Sequence, residues 1–488
     1  MPKQTYSDTL KKHYLLKNIP TPPFGNIEDR HIVSYDEYAK NNGYTALRKA
    51  ITMKPADVTA EVKKSVLRGR GGAGFPCGVK WTFLPPAQDQ HGKDINDDDL
   101  AGKPADIENG TFERYLAINA DESEPGTFKD RLLMDFDPHL VLEGIAICCY
   151  ACKLSKAYIF IRGEYHHQAK VLEDAIKEAY EKGIFGENGL VSSSENTGGP
   201  RFRVDCYVHR GAGAYICGEE TGLLEALEGK RGWPRIKPPF PALKGLFGKP
   251  TIINNVETLA HLPDIINEGA DFFMNQGVES TIGGPPSFGT KLMGVSGHVE
   301  RPGVYECELG IPLRELVEKF CGGMKNGKKF KGAIAGGVSM GILGTDQYEA
   351  EMDFDIGRKY NVLGLGTACP TVFDEDTDMV AVARNLSRFF KNESCGQCTP
   401  CREGAQWMFK LLSRIEAGEA DSNDLDMLLE LAGSMGIMPG TTICGLADGH
   451  NWAVRTVVNK FRGEFEARVR PAKTALQGVA LTSSANAT

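Results

Sequence analysis

The alternation of hydrophobic and polar positions changes rhythm three times along the chain. The first stretch, to about residue 55, is mixed and interrupted by proline, with one short helix predicted around DEYAKNNGYTALRKAI. DVTAEVKKSVLRG then places Val58, Val62, Val66 and Leu67 on one helical face, with Asp57 or Thr59 as the capping residue. Next, strand-like and helix-like segments alternate. RYLAINA, KAYIFIRG and RFRVDCYVHRG have the pattern of strands, while DPHLVLEGIAICCYACKL, YHHQAKVLEDAIKEAYEKG and ETGLLEALEG have that of helices. Asp137 and Pro138 supply a cap and first-turn pair, and Gly183 a stop. Such alternation predicts an α/β region with a largely parallel sheet. Residues 276–375 are Gly-punctuated strands around one short helix, PLRELVEKF, a pattern that suits a small β-grasp-like domain. From about 376 the period is helical: VAVARNLSRFFKNE, REGAQWMFKLLSRIEAG, NDLDMLLELAGSMG and NWAVRTVVNKFRGEFEARV predict four amphipathic helices. The division expected is therefore 1–76, an N-terminal segment with a glycine-rich loop; 77–275, an α/β domain; 276–375, β-grasp-like; 376–470, helical; and 471–488, a polar tail. Within the α/β domain, residues 85–113 are acidic and poor in apolar side chains, as a surface insertion would be.

Composition narrows the class. A chain of 488 residues can hold several cores, and its net charge of −8 argues against nucleic acid as a main partner. No apolar run reaches the roughly 18 residues of a membrane span. LVLEGIAICCYAC is too short, carries Glu143, and is expected as a buried helix. The N-terminal MPKQTYSDTLKK has neither an apolar signal core nor an Arg-rich transit pattern. Thirteen cysteines, an odd number, then point to a reducing compartment, with the sulfurs as thiols or metal ligands.

Four stretches carry candidate chemistry. RGRGGAGFP spells G-x-G-x-x-G at Gly69, Gly71 and Gly74, yet a helix pattern precedes it, and FPCGVKWTFLPP with Pro76, Pro85 and Pro86 is not expected to open one. Four glycines in six residues, Gly72 included, suit backbone brought close to a ligand such as a phosphate; a plain loop is the alternative. NADESEPGTFKDR puts Asn119, Asp121, Glu122 and Glu124 at the carboxyl end of a strand, where α/β folds place ligands, or forms a dense acidic turn. RGAGAYICGEETGLLEAL leads Gly211, Gly213 and Gly218 into a helix, but Glu219 and Glu220 would repel a phosphate and suit sugar hydroxyls. ESCGQCTPCREG spaces Cys395, Cys398 and Cys401 as C-x2-C-x2-C, with Cys444 in GTTICGLADG available as a fourth ligand. An iron–sulfur cluster suits this set; zinc with His450 is the alternative. Cys148, Cys149 and Cys152 fall in apolar patterns and read as core fillers.

RGRGGAGFP with Lys80 and Trp81, NADESEPGTFKD, GAGAYICGEET, KPPFPA, GKPTIINNVETLA and ESCGQCTPCREG with the distant Cys444 occur in this order. The sequence thereby closely resembles the NADH-binding flavoprotein family of respiratory complex I, the F-type subunits of NADH:quinone oxidoreductase, over residues 40–465. The resemblance implies a Rossmann-like FMN/NADH-binding α/β domain, a β-grasp (ubiquitin-like, SLBB) domain, and a C-terminal four-helix bundle carrying a 4Fe-4S cluster. It implies FMN, the cluster and NAD(H) as cofactors, and oxidation of NADH by hydride transfer to FMN, then single electrons to the cluster and on towards quinone. Gly69, Arg70, Gly71, Gly72, Gly74, Lys80, Asn119, Asp121, Gly218, Asn254 and Asn255 would hold the flavin. Phe75 and Phe83 would sandwich the adenine, with Lys237 and Phe240 close to the nucleotide; Glu122, Glu124, Glu219 and Glu220 would lie about the nicotinamide and ribose. Glu124 and Glu220 would act by positioning, since hydride transfer needs no protein acid or base. Cys395, Cys398, Cys401 and Cys444 would ligate the cluster. The partners implied are a thioredoxin-like 2Fe-2S subunit and a large iron–sulfur subunit, with a cytoplasmic location peripheral to the inner membrane and membrane contact only through the complex. Two alternatives remain: the diaphorase subunit of an NAD-linked hydrogenase or formate dehydrogenase, whose added cluster domain has no counterpart in extra cysteine clusters here, and a zinc-stabilised nucleotide-binding scaffold.

Overall fold

A computed structural model describes residues 14–22, 25–87, 94 and 113–471. The stretch expected as a surface insertion lies almost wholly outside these residues, as does the polar tail beyond Pro471.

Where one N-terminal helix was expected there are two, α1 (Tyr35–Lys40) and α2 (Thr45–Ala50). Asn42 and Tyr44 take left-handed φ of 65° and 60° between them, and no helix continues through that conformation. α3 (Pro55–Lys64) starts before Asp57 and Thr59, with Lys54 at its cap and Pro55 in its first turn. It stops before Val66, whose φ is 53°, so Leu67 is buried from the loop rather than from a helical face. The glycine loop is followed, against expectation, by a short helix, α4 (Cys77–Trp81). Pro76 occupies its cap, where a missing N–H costs nothing, and Pro85 and Pro86 fall beyond its end.

The α/β region follows its pattern closely. β1 (Tyr115–Ala120) leads through α5 (Lys129–Phe136) and α6 (Pro138–Cys152) to β2 (Lys156–Ile161). α7 (His166–Glu181) leads to β3 (Asp205–Arg210), and α8 (Glu220–Leu227) precedes β4 (Thr251–Asn255) and α9 (Val256–Ala260). The four strands are parallel in the order β3-β2-β1-β4. The chain reverses its direction of winding between β1 and β4, the place where such sheets open a crevice at their carboxyl ends. Every residue of α6 is buried, which explains its unbroken apolar run. Asp137 caps it by accepting from the Leu140 N–H. Its Glu143 is satisfied by Tyr38 Oη at 2.5 Å and by the backbone N–H groups of Tyr44 and Leu47 at 2.9 and 3.0 Å, so the charge that breaks the run anchors α2.

Beyond residue 289 a second sheet forms from β5 (Thr290–Gly297), β6 (Gly303–Glu308), β7 (Phe330–Ile334), β8 (Ile342–Leu343) and β9 (Thr371–Asp374). Its order is β8-β7-β9-β5-β6, mixed, with β9 parallel only to β5. Glu306 on β6 is buried and accepts the N–H groups of Tyr14, Leu15 and Leu16, each at 3.0 Å, which ties the N-terminal segment to this sheet. The helical region consists of α10 (Met379–Glu393), α11 (Thr399–Glu416), α12 (Ser422–Ser434) and α13 (Leu446–Lys460). α13 begins earlier than its sequence pattern suggested and ends at Phe461, where a separate turn, Arg462–Glu466, takes over. Met408, Leu412, Leu428, Val454 and Val457 form its shared core. Among the described residues no helix is long and apolar enough to cross a membrane.

Candidate active site

The glycine loop is closed at its base by Gly69 N–H on the Phe75 carbonyl (2.9 Å) and Cys77 N–H on the Leu67 carbonyl (2.7 Å). Its tip lies against the end of β4. A Cβ placed on Gly71 would sit 2.9 Å from Asn255 Cβ, and one on Gly74, at φ 65°, would strike the Phe354 ring. Gly72 takes φ 132°. These positions exclude side chains for two reasons, close approach and backbone conformation, which a plain surface turn would not need. Arg68 holds the loop's far side by donating to the Gly74 carbonyl and lying 3.9 Å over the Phe354 ring.

At the end of β1, Asn119 donates to the Gly218 carbonyl at 2.8 Å and accepts from Asp121 N–H, so the β1 loop and the approach to α8 are joined. Asn255 donates to Asp130 at 2.7 Å and weakly to the Asn119 carbonyl. The glycine loop, the β1 loop and the α8 approach therefore meet at the reversal point between β1 and β4. Burial pushes Asp121 up to about 7. Glu124 is buried beneath this junction: Tyr215 Oη and Ser339 Oγ donate to one oxygen at 2.6 and 2.9 Å, and Ser339 N–H to the other at 2.7 Å. Burial raises its carboxyl above the usual range and these donors oppose that. Lys80 donates to the Ile253 carbonyl at 2.6 Å, directly under the crevice.

Several residues face elsewhere than the resemblance implied. Glu122 turns away and accepts the Asp130 and Arg131 N–H groups and Tyr165 Oη, capping α5. Asn254 alternates to the opposite side of β4 from Asn255 and is buried against Trp81 and Cys148. The Arg70 side chain is fully buried behind the loop and donates to the Phe288 carbonyl. Glu219 caps α8 through the Thr221 and Gly222 N–H groups, so that helix end is already occupied by a carboxylate. Phe75 and Phe83 are exposed, but their rings touch at 5.9 Å between centroids and 49°, so a base would have to part them. Glu220 is paired with Lys237, which also bridges to Glu219 at 3.0 Å; Phe240 stands exposed nearby in sequence. Sequence reasoning missed Ser339, whose partner lies 215 positions away and leaves no local signal. Tyr215 lies within a quoted motif, but its bond to Glu124 is equally invisible locally.

The cysteines lie at the entry to α11 and before α13. Ile443 N–H reaches Cys398 Sγ at 3.4 Å, and Ser394 Oγ lies 3.2 Å from Cys401 Sγ. Burial pushes the Cys444 thiol up to about 12, with the sulfurs of Cys395 and Cys401 adding to it. Thiols so grouped resist ionising together unless a cation neutralises them. His450, the histidine considered for zinc, is buried on the far side, hydrogen-bonded to Ser387 and stacked on Phe390. Among the described residues no group of three or more His, Cys, Asp or Glu side chains gathers as a single-ion site. The other nine cysteines are buried, as core fillers are.

Three family models match: the Nuo51 FMN-binding domain over residues 62–264, an SLBB domain over 292–343, and the NADH-ubiquinone oxidoreductase-F iron–sulfur binding region over 381–468. One of the NADH-quinone oxidoreductase F subunits of Rhizobium meliloti (strain 1021), the second of its two, is 46% identical over 93% of this chain and 97% of its own length. The chain belongs to the family of NADH-quinone oxidoreductase F subunits. As a member it is an oxidoreductase, the NADH-oxidising subunit of complex I, with FMN and a 4Fe-4S cluster as cofactors. The mitochondrial NADH dehydrogenase [ubiquinone] flavoprotein 1 of Dictyostelium discoideum is 43% identical over 92% of this chain and 88% of that one. A solved NAD+-reducing [NiFe]-hydrogenase in its H2-reduced state aligns with a TM-score of 0.72 at 31% identity, covering 94% of this chain and 70% of the other. The residues present fit the cofactors of the family: a loop that Cβ atoms would fill for the flavin, and four mutually close thiols, reached from two segments, for the cluster.

Proposed function

We propose that NADH is oxidised at the crevice between β1 and β4 and that electrons leave through the Cys395, Cys398, Cys401 and Cys444 site to a neighbouring subunit. The observation that carries this reading is the convergence of the glycine loop, the β1 loop and the α8 approach on one point, through the close approach of Gly71 to Asn255 and the bond from Asn119 to Gly218. Bound FMN converts a two-electron hydride donor into a source of single electrons for the cluster. The chain's own part is positioning. Gly69, Gly71, Gly72 and Gly74 let backbone approach the flavin, with Lys80, Asn119, Asp121, Gly218 and Asn255 around it. Arg70, Glu122, Glu219 and Asn254 serve by holding these elements in place. Phe75 and Phe83 part to receive the adenine, and Lys237 and Phe240 flank the nucleotide. Glu124, fixed by three donors from Tyr215 and Ser339, meets the nicotinamide side.

The strand order β3-β2-β1-β4 supports a Rossmann-like assignment of 77–275, the mixed five-stranded sheet a β-grasp assignment of 276–375, and α10 to α13 a four-helix bundle over 376–470. The family's membership of a complex supports a thioredoxin-like 2Fe-2S subunit and a large iron–sulfur subunit as partners, at the cytoplasmic face of the inner membrane.

The test is anaerobic addition of NADH to the purified chain. A yellow-brown protein that bleaches supports the reading; a colourless or unresponsive one overturns it. Glu220 further sets the choice of nucleotide: a carboxylate beside a 2′-phosphate places like charges together, which costs several kcal/mol. Glu220→Ala is expected to raise the kcat/KM ratio of NADPH to NADH about tenfold or more, about 1.4 kcal/mol per tenfold. An unchanged ratio in steady-state assays would remove Glu220 from this role.

A further inference from the structure

Behind the glycine loop lies a buried ionic network that the electron-transfer reading does not use. Lys129, Glu257, Lys291 and Arg70 are each fully buried, and Asp130 nearly so. Lys129 Nζ lies 2.7 Å from Glu257 Oε2 and 2.8 Å from Asp130 Oδ1. Lys291, projecting from β5 in the second sheet, donates to the same Glu257 oxygen at 3.1 Å and to the backbone carbonyl of Arg70 at 3.0 Å. Arg70 N–H in turn donates to Thr258 Oγ1 at 2.8 Å. Glu257 is fixed further by Leu292 N–H at 2.8 Å. Three cations thus share two carboxylates out of water, and the Arg70 Nε and Nη1 atoms have no partner. Burial and the neighbouring cations pull the Lys291 ammonium down to about 8. Stability alone does not account for such a network, because well-packed apolar residues commonly serve as well or better.

Its effect on the loop follows from peptide geometry. In a trans peptide the C=O and N–H point in opposite directions. The Arg70 carbonyl is drawn inward to Lys291, so the Gly71 N–H of the same peptide unit faces outward, at the tip that abuts Asn255. The preceding unit is set the other way, with the Arg70 N–H inward on Thr258 and the Gly69 carbonyl outward. We propose that Lys291 is a positioning residue of the flavin site: reaching from the second sheet, it locks the Arg70–Gly71 peptide so that the Gly71 N–H is presented to the bound flavin nucleotide. This rests on the reading of the glycine loop as the FMN cradle. It also explains why the second sheet is joined to the loop by a charged side chain rather than by apolar packing.

The test uses the full chain with FMN, reading the FMN dissociation constant by flavin fluorescence and, separately, the melting temperature. Lys291→Met keeps the side chain's length and removes the donor. FMN is expected to bind at least tenfold more weakly. The double variant Lys291→Met with Glu257→Gln leaves no unpaired carboxylate facing the lost ammonium, and it carries the comparison if the single variant fails to fold. Recovery of the melting temperature with FMN binding still weak supports the positioning role; recovery of both overturns it, as does an unchanged FMN affinity in the variants. Failure of the wild-type chain to bind FMN would instead sink the reading of the loop itself.

Discussion

Replacing Cys444 with alanine is expected to abolish the iron–sulfur cluster while leaving FMN bound. Electron delivery to any acceptor that draws on the cluster should fall by more than the roughly 10–100-fold that loss of an outer partner of a metal site costs. Reduction of a small acceptor that takes electrons straight from the flavin should survive. The reason is geometric: Cys444 comes from a different segment than Cys395, Cys398 and Cys401, yet Ile443 N–H on Cys398 Sγ shows the two segments in contact. Three thiolates from one loop cannot complete the four-thiolate set. Iron and acid-labile sulfide assays on the variant, beside flavin content, check this. A variant that retains full iron content would place the fourth ligand elsewhere.

Gly71→Val is expected to produce the second large effect, loss of flavin from an otherwise folded chain. A Cβ at Gly71 would lie 2.9 Å from Asn255 Cβ, and that contact brings the loop to the end of β4. Overpacking of this kind costs about 1–3 kcal/mol, and the loop can relieve it by lifting away from the crevice. FMN affinity should drop by about tenfold or more, at roughly 1.4 kcal/mol per tenfold, with the melting temperature of the apoprotein little changed. Equilibrium binding with FMN measures the first and calorimetry the second. Normal flavin binding in this variant would show that the loop's tip does not approach the ligand.

The sequence pattern and the structure agree best where a local rule decides the conformation. The parallel strands could be found because buried strands are continuously apolar and separated by capped helices, as Asp137 before α6 shows. Glu143 was legible as a sign of a buried helix, but its role in anchoring α2 depends on partners about a hundred positions away. The glycine loop's abnormal context was legible too, although α4 was missed because Pro76 was taken as a breaker rather than a cap. Alternation along β4 could have separated Asn254 from Asn255, since successive side chains face opposite ways. What could not be read is any contact between distant regions. Lys291 looks like an ordinary charged residue at the start of a strand until β5 carries it beneath Arg70. Ser339 is likewise unremarkable until its loop closes over Glu124.

The central claim is that one chain brings a flavin and a four-iron cluster into electronic contact and feeds both from NADH. Low-temperature EPR of the anaerobically purified protein, before and after NADH with flavin, iron and sulfide quantified on the same sample, tests it most directly. One FMN, four iron and four sulfide per chain are expected, with a reduced-cluster signal that grows in on NADH addition. A sample holding both groups whose cluster stays silent after NADH, or one lacking either group, would contradict it.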